Sequence, residues 1–132
     1  MPELLRVLIL EGSPSDAARL VRHLTEAGLA MQHQRVDTAD GLRKALRQGP
    51  WDVILCDTSM PGFGMAEAHQ IARDAGADCA FVAVSAELSE EARAAALQAC
   101  AHACVFKTSL VGLVPVVERE TRDRGIRCSH HW

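Results

Sequence analysis

A chain of 132 residues with a formal charge of −3 is the size that one hydrophobic core serves, and it has no basic surplus to draw it to nucleic acid. Its 48% hydrophobic and 23% charged residues are the balance of a globular domain. No apolar run approaches the roughly 20 residues that cross a bilayer, and Met1-Pro2-Glu3-Leu4-Leu5-Arg6 lacks the charged-then-apolar order of a secretion signal.

Apolar runs and helical stretches alternate along the whole chain. Residues 5–10 (LRVLIL) form a continuous apolar run, the pattern of a strand covered on both faces. After Glu11-Gly12, Ser13 as cap, Pro14 at the first helical position and Asp16 at the third open a helix. Its apolar face is Ala17, Leu20, Val21 and Leu24, and Gly28 stops it. Residues 31–36 are a partly polar strand suited to a sheet edge. Asp37 or Thr38 caps a second helix to about Gln48, with Leu42, Ala45 and Leu46 inward, before Gly49-Pro50 breaks the chain. The run 52–57 (DVILCD) is a strand that ends on a carboxylate, and the loop Met60-Pro61-Gly62-Phe63-Gly64 leads to a third helix from Met65 to about Ala75. Residues 80–84 (AFVAV) are a fourth strand, and Ser89-Glu90-Glu91 opens an alanine-rich fourth helix. A short fifth strand over 103–106 ends at Lys107. The last helix runs from about Leu110 to Arg122, with Pro115 tolerable near its start, and residues 125–132 form a frayed tail.

Five strands alternating with five helices predict an α/β domain with a parallel sheet and helices on both faces. Ligands of such sheets bind beyond the carboxyl ends of the strands. The first strand delivers Glu11 and Gly12 there, the third Asp57 with Thr58-Ser59, the fourth Ser85 and the fifth Lys107. Two carboxylates, a hydroxyl and an ammonium are thus expected at one edge. Asp57 ends a strand as apolar as DVILC, so it requires solvent, a cation or a donor.

These residues carry a resemblance. Val53-Ile54-Leu55-Cys56-Asp57-Thr58-Ser59-Met60-Pro61-Gly62 is similar to the phosphoacceptor strand and loop of response-regulator receiver domains of two-component systems. Leu8-Ile9-Leu10-Glu11, Val84-Ser85-Ala86 and Val105-Phe106-Lys107 match the family's other strand ends in order. The resemblance covers residues 5 to about 122 and implies a flavodoxin-like (βα)5 fold with strand order 2-1-3-4-5. It places the receiver domain in residues 1–124. It implies that Asp57 accepts a phosphoryl group from a histidine kinase or a histidine phosphotransfer protein. It also implies that Glu11, Asp57 and the Ser59 backbone carbonyl hold Mg²⁺, that Lys107 pairs with the phosphoryl oxygens, and that Ser85 donates to one of them.

Three positions depart from that pattern. Where the family carries a second acid at the end of strand one, this chain has Gly12, which weakens the expected metal site. Cys104 replaces the usual switch aromatic; Phe106 shares its face and reads as core. Thr108 follows Lys107 where proline is common, so a trans peptide or local strain is expected there.

The odd count of five cysteines has no C-x-x-C pair, and Cys56, Cys79 and Cys104 read as small buried hydrophobes in a reducing, cytoplasmic setting. Cys100, His102 and Cys104 lack the fourth ligand of a structural zinc site. The histidines are scattered without catalytic spacing, and two Trp, three Phe and no Tyr argue against a flavin site. The expectation is a stand-alone receiver, not an enzyme, that signals to a downstream protein partner. The alternative is a degenerate pseudo-receiver that docks without phosphorylation. Six apolar residues in 110–117 (Leu110, Val111, Leu113, Val114, Val116 and Val117) exceed one helical stripe and predict a self-contact or partner contact, such as a homodimer through the last helix.

Overall fold

The computed structural model describes residues 4–59, 64–77, 79–87, 89–99 and 101–129, with the backbone alone at 99 and 122–129. Its strands are β1 (Leu5–Leu10), β2 (Met31–Val36), β3 (Val53–Asp57), β4 (Ala80–Ser85) and β5 (Ala103–Phe106). They pair in parallel in the order β2-β1-β3-β4-β5, so the flavodoxin-like fold is borne out. The helices are α1 (Pro14–Glu26), α2 (Ala39–Arg47), α3 (Met65–Asp74), α4 (Glu90–Ala99) and α5 (Leu113–Ser129).

Alternation along the strands decides which helix covers which face. Val7, Ile9, Val53, Leu55, Val82 and Val84 point to one side, where Leu20 and Leu24 of α1 and Leu113 and Val117 of α5 close over them. Leu8, Leu10, Ile54, Cys56, Phe81 and Ala83 point to the other, against Leu42 of α2, Ala68 and Ile71 of α3, and Ala96 of α4. Over residues 7–10 of β1 and 53–56 of β3 both faces are therefore dry, which is why these stretches read as apolar runs, while Arg6 opens β1 half-buried. β2 lies at the edge, as its polar residues predict.

Local chemistry fixes the helix starts. Ser13 Oγ accepts from Asp16 N–H, and Thr38 Oγ1 accepts from Gly41 N–H, which makes Thr38 the cap of α2. Ser89 Oγ does the same for Ala92 N–H at α4. At the amino end of the sheet, the Arg6 guanidinium lies 4.6 Å from the centre of the Trp51 ring, whose Nε1–H donates to Ala45 O.

Some expectations need correction. The last helix does not end near Arg122: Leu110–Gly112 form a 3₁₀ turn and α5 continues to Ser129. Pro115 falls in its first turn, where the missing N–H costs nothing, and the charged residues after it are good helix formers. Phe106 is not core; it is half-buried on the face of Cys104 and belongs to neither packed cluster. The apolar surplus of 110–117 is mostly absorbed, since Leu113 and Val117 are buried and Leu110, Val114 and Val116 pack against the core. Val111 alone of the six is strongly exposed, at 80%. The Lys107–Thr108 peptide is trans, as are the other described peptides. Met60, Pro61, Gly62, Phe63, Cys100, His130, His131 and Trp132 lie outside the described residues.

Candidate functional site

The sheet brings three of the expected residues together. β1 and β3 are neighbours, so Glu11 and Asp57 leave the sheet side by side, and both are buried. Lys107 reaches across from the end of β5, where its N–H donates to Ser85 O at 2.7 Å. Its Nζ lies 2.8 Å from Glu11 Oε1 and 3.4 Å from Asp57 Oδ2. The opposite oxygen of Asp57, Oδ1, accepts from both the N–H and the Oγ–H of Ser59, each at 3.1 Å. Glu11 Oε2 accepts from Ser13 N–H. Each carboxylate is thus held by donors on one oxygen and faces the ammonium with the other.

A third carboxylate joins them. Asp16, in the first turn of α1, puts Oδ2 2.8 Å from Lys107 Nζ. Arg19, one turn along, donates Nη2–H to Lys107 O at 2.7 Å. In the sequence Asp16 stands only as part of the helix start, because an acid in a first turn is already explained by the helix dipole. Its distance of 91 positions from Lys107 carries no sequence signal.

Ser85 does not join the cluster. Its Oγ donates to Glu87 O and accepts from Glu87 N–H, each at 3.1 Å, which closes a small turn after β4. Beside it opens a cleft of about 380 Å³ lined by Thr58, Ser59, Met65, Ser85 and the α4 alanines Ala92 and Ala96. Cys104 packs half-buried beside the core on that side, and burial pushes its thiol pKa up.

Electrostatics follow from one ammonium set among three carboxylates. Burial would favour a neutral Lys107, but its bonds to Asp16 and Glu11 and the Asp57 charge outweigh it, so its pKa is raised well above the ordinary lysine value. The Glu11 pKa is also raised, chiefly by burial; the bonds from Lys107 and Ser13 counter this only in part, and the Asp57 charge adds to the rise. With all three acids ionised, the lysine neutralises one negative charge of three, and Arg19, whose Nη1 lies 4.0 Å from Asp16 Oδ1, offsets part of another, so the cluster keeps a negative surplus.

That surplus bears on a metal ion. Among the described residues no three His, Cys, Asp or Glu side chains are gathered as a ready metal cage. A magnesium ion commonly uses only one or two carboxylates together with water and phosphate. Glu11 and Asp57, hard oxygen donors in a region of surplus negative charge, fit that lesser demand.

The chain matches the family model described as response regulator receiver domain over residues 7–114. It belongs to the response regulator receiver domain family. None of the curated proteins matches it. Similar solved structures include the signal receiver domain of NarL from Mycobacterium tuberculosis, at 23% identity and TM-score 0.75, covering 92% of this chain and 98% of that one. The BeF3-activated N-terminal receiver domain of RstA from Klebsiella pneumoniae is 16% identical, with TM-score 0.74 and coverage of 89% and 98%. A third is the co-crystal structure of the Saccharomyces cerevisiae histidine phosphotransfer signaling protein Ypd1 with the receiver domain of Ssk1, at 18% identity, TM-score 0.73 and coverage of 92% and 91%. At these identities the likeness is one of fold.

Within this receiver, Gly12 adds no side chain to the acidic cluster and is exposed. Cys79 and Cys56 are buried as expected, and Cys104 is half-buried. His102 Nδ1 accepts the Phe81 N–H at 2.9 Å, and the His69 ring stands edge-on to Phe81. These histidines serve β4 and its covering helix, at a distance from the acidic cluster.

Proposed function

We propose that this receiver accepts a phosphoryl group on Asp57 from the phosphohistidine of a histidine kinase or histidine phosphotransfer protein. The observation that carries this reading is the buried Asp57 carboxylate, with Oδ1 held by Ser59 and Oδ2 facing the Lys107 ammonium at 3.4 Å. Ser59 leaves Oδ2 as the attacking oxygen. An O–P bond forms at Oδ2 while the P–N bond of the donor breaks, and its electron pair returns to the imidazole, which takes a proton from solvent. Lys107 then pairs with the phosphoryl oxygens. Glu11, Asp57 and the Ser59 carbonyl would hold a magnesium ion, which supplies charge neutralisation when bound.

Ser85 is the residue that changes partner. Its hydroxyl leaves the turn with Glu87 to donate to a phosphoryl oxygen, and the loop after β4 rearranges with it. The domain, which the resemblance puts in residues 1–124 and whose last helix runs on to Ser129, acts as a signalling module through contact with a downstream protein, in the cytoplasm. A self-contact would centre on the exposed Val111 before α5. A second reading, a docking module without phosphoryl chemistry, is favoured by the glycine at position 12 and the cysteine at 104.

Intact mass after incubation with acetyl phosphate and Mg²⁺ separates the two, with Asp57→Asn as control. An adduct on the wild type alone supports the phosphoacceptor. No adduct at high Mg²⁺ favours the docking module.

A further inference from the structure

The first turn of α1 is tied to the end of β5 by both parts of one residue. Asp16 takes the side chain of Lys107 at 2.8 Å, and Arg19 takes its backbone carbonyl at 2.7 Å. Of the three acids around the ammonium, Asp16 and Glu11 are nearer than Asp57, at 2.8, 2.8 and 3.4 Å. Glu11 is fixed from behind by Ser13 N–H, and Asp16 by the cap that Ser13 Oγ gives its own N–H. Lys107 thus rests with the acids of β1 and α1, leaning only loosely on Asp57. Position 12 offers no carboxylate, and α1 supplies one from four residues further on.

We propose that Asp16 is a positioning residue that holds Lys107 back from Asp57 in the resting domain and yields it when Asp57 is phosphorylated. The inference rests on the reading of Asp57 as phosphoacceptor. A phosphoryl group carries nearly two negative charges at neutral pH, so it draws the ammonium more strongly than a lone carboxylate does. The Asp16–Lys107 contact therefore belongs to the resting state more than to the phosphorylated one, and a contact that differs between two states sets their balance. A first-turn acid present only for the helix dipole would not need to meet an ammonium 91 positions away.

The chain contains two lysines, Lys44 and Lys107, and Lys44 is exposed. A slowly exchanging side-chain ammonium in a ¹⁵N–¹H spectrum is therefore that of Lys107. We expect this signal in the wild type and in Asp16→Glu, and its loss to fast exchange in Asp16→Asn. With acetyl phosphate and Mg²⁺, the steady level of adduct should rise about two- to fivefold in Asp16→Asn, the scale of one partly exposed ion pair, and return towards wild type in Asp16→Glu. Asp16 is partly exposed and Asn keeps its shape, so the variant folds. An ammonium signal unchanged in Asp16→Asn, beside a wild-type adduct, overturns the latch and leaves the phosphoacceptor standing. An unchanged adduct level overturns the restraint. If the ammonium responds but no chain takes up phosphate, the phosphoacceptor reading fails and the proposal falls with it, leaving an ion pair of structure alone.

Discussion

Ser59 gives two hydrogen bonds to a single oxygen of Asp57, one from its backbone and one from its hydroxyl, both at 3.1 Å. Only the second depends on the side chain. Ser59→Ala should therefore keep the carboxylate roughly oriented and lose one donor, which is worth about 1 kcal/mol for a typical hydrogen bond. Adduct formation from acetyl phosphate should slow severalfold without stopping. Complete loss would mean that the hydroxyl, and not the backbone, sets the attacking oxygen.

Lys107→Met removes the one ammonium near Glu11 and Asp57, both buried. Breaking a buried pair from one side costs about 3 kcal/mol near neutral pH, because the remaining charges stay desolvated. Urea unfolding of both proteins should show this loss. It should shrink on mild acidification, since Glu11 already takes up its proton at a higher pH than an ordinary glutamate.

The same pair predicts behaviour in alkali. The Lys107 pKa is raised in the folded domain, so the folded state binds the proton more tightly than the unfolded state. Its stabilisation is complete below the ordinary lysine value of 10.5 and declines as pH rises above it. Wild type and Lys107→Met should therefore converge in stability above about pH 10.5, measured by urea midpoint. A constant gap across that range would count against the ion cluster.

Gly12→Asp returns an acid to the end of β1. Positive φ among the described glycines occurs at Gly28, Gly49 and Gly76, so a side chain at position 12 meets no left-handed backbone. Magnesium affinity measured by calorimetry should rise about tenfold or more, given that even outer-sphere changes shift metal affinity by ~10- to 100-fold. The metal-free protein should become less stable, because the acid enters a region already in negative surplus. Unchanged affinity would place the ion, if any, away from β1.

Gly49→Ala tests the opposite end of the sheet. Gly49 has φ of +142°, and an added Cβ would come within 2.9 Å of the Arg6 Nη1. Loss of stability by about 1–3 kcal/mol is expected from the backbone alone, with phosphoryl uptake per folded molecule unaltered. Thermal melting beside intact mass checks both halves.

The fold was legible because burial left its mark on the strands. Residues 7–10 (VLIL) and 53–56 (VILC) are apolar at both parities since helices cover both faces, and the polar residues of β2 betrayed the edge. Glu11, Asp57 and Lys107 were legible for a related reason: a charged residue closing an apolar strand stands out. Asp16 was hidden, because on a helix surface an acid looks ordinary and its partner comes from the far end of the chain. The orientation of Ser85 was equally hidden, since a hydroxyl has several partners within reach and only the turn with Glu87 decides among them. The length of α5 escaped because Pro115 and Gly125 resemble punctuation, whereas the first lies in an opening turn and the second costs a helix only about 1 kcal/mol.

The stacking of Arg6 on Trp51 has a practical bearing on how this domain is watched. Trp51 sits before β3, and Asp57 ends it, so about six residues of extended chain, or roughly 20 Å, separate the indole from the carboxylate. Its emission is set by a guanidinium and a carbonyl at the base of the sheet. Fluorescence from this indole will therefore follow the melting of the whole domain while staying nearly blind to events at Asp57. A dye or a tryptophan introduced near the cleft beside Ser85 would see what the Trp51 indole does not.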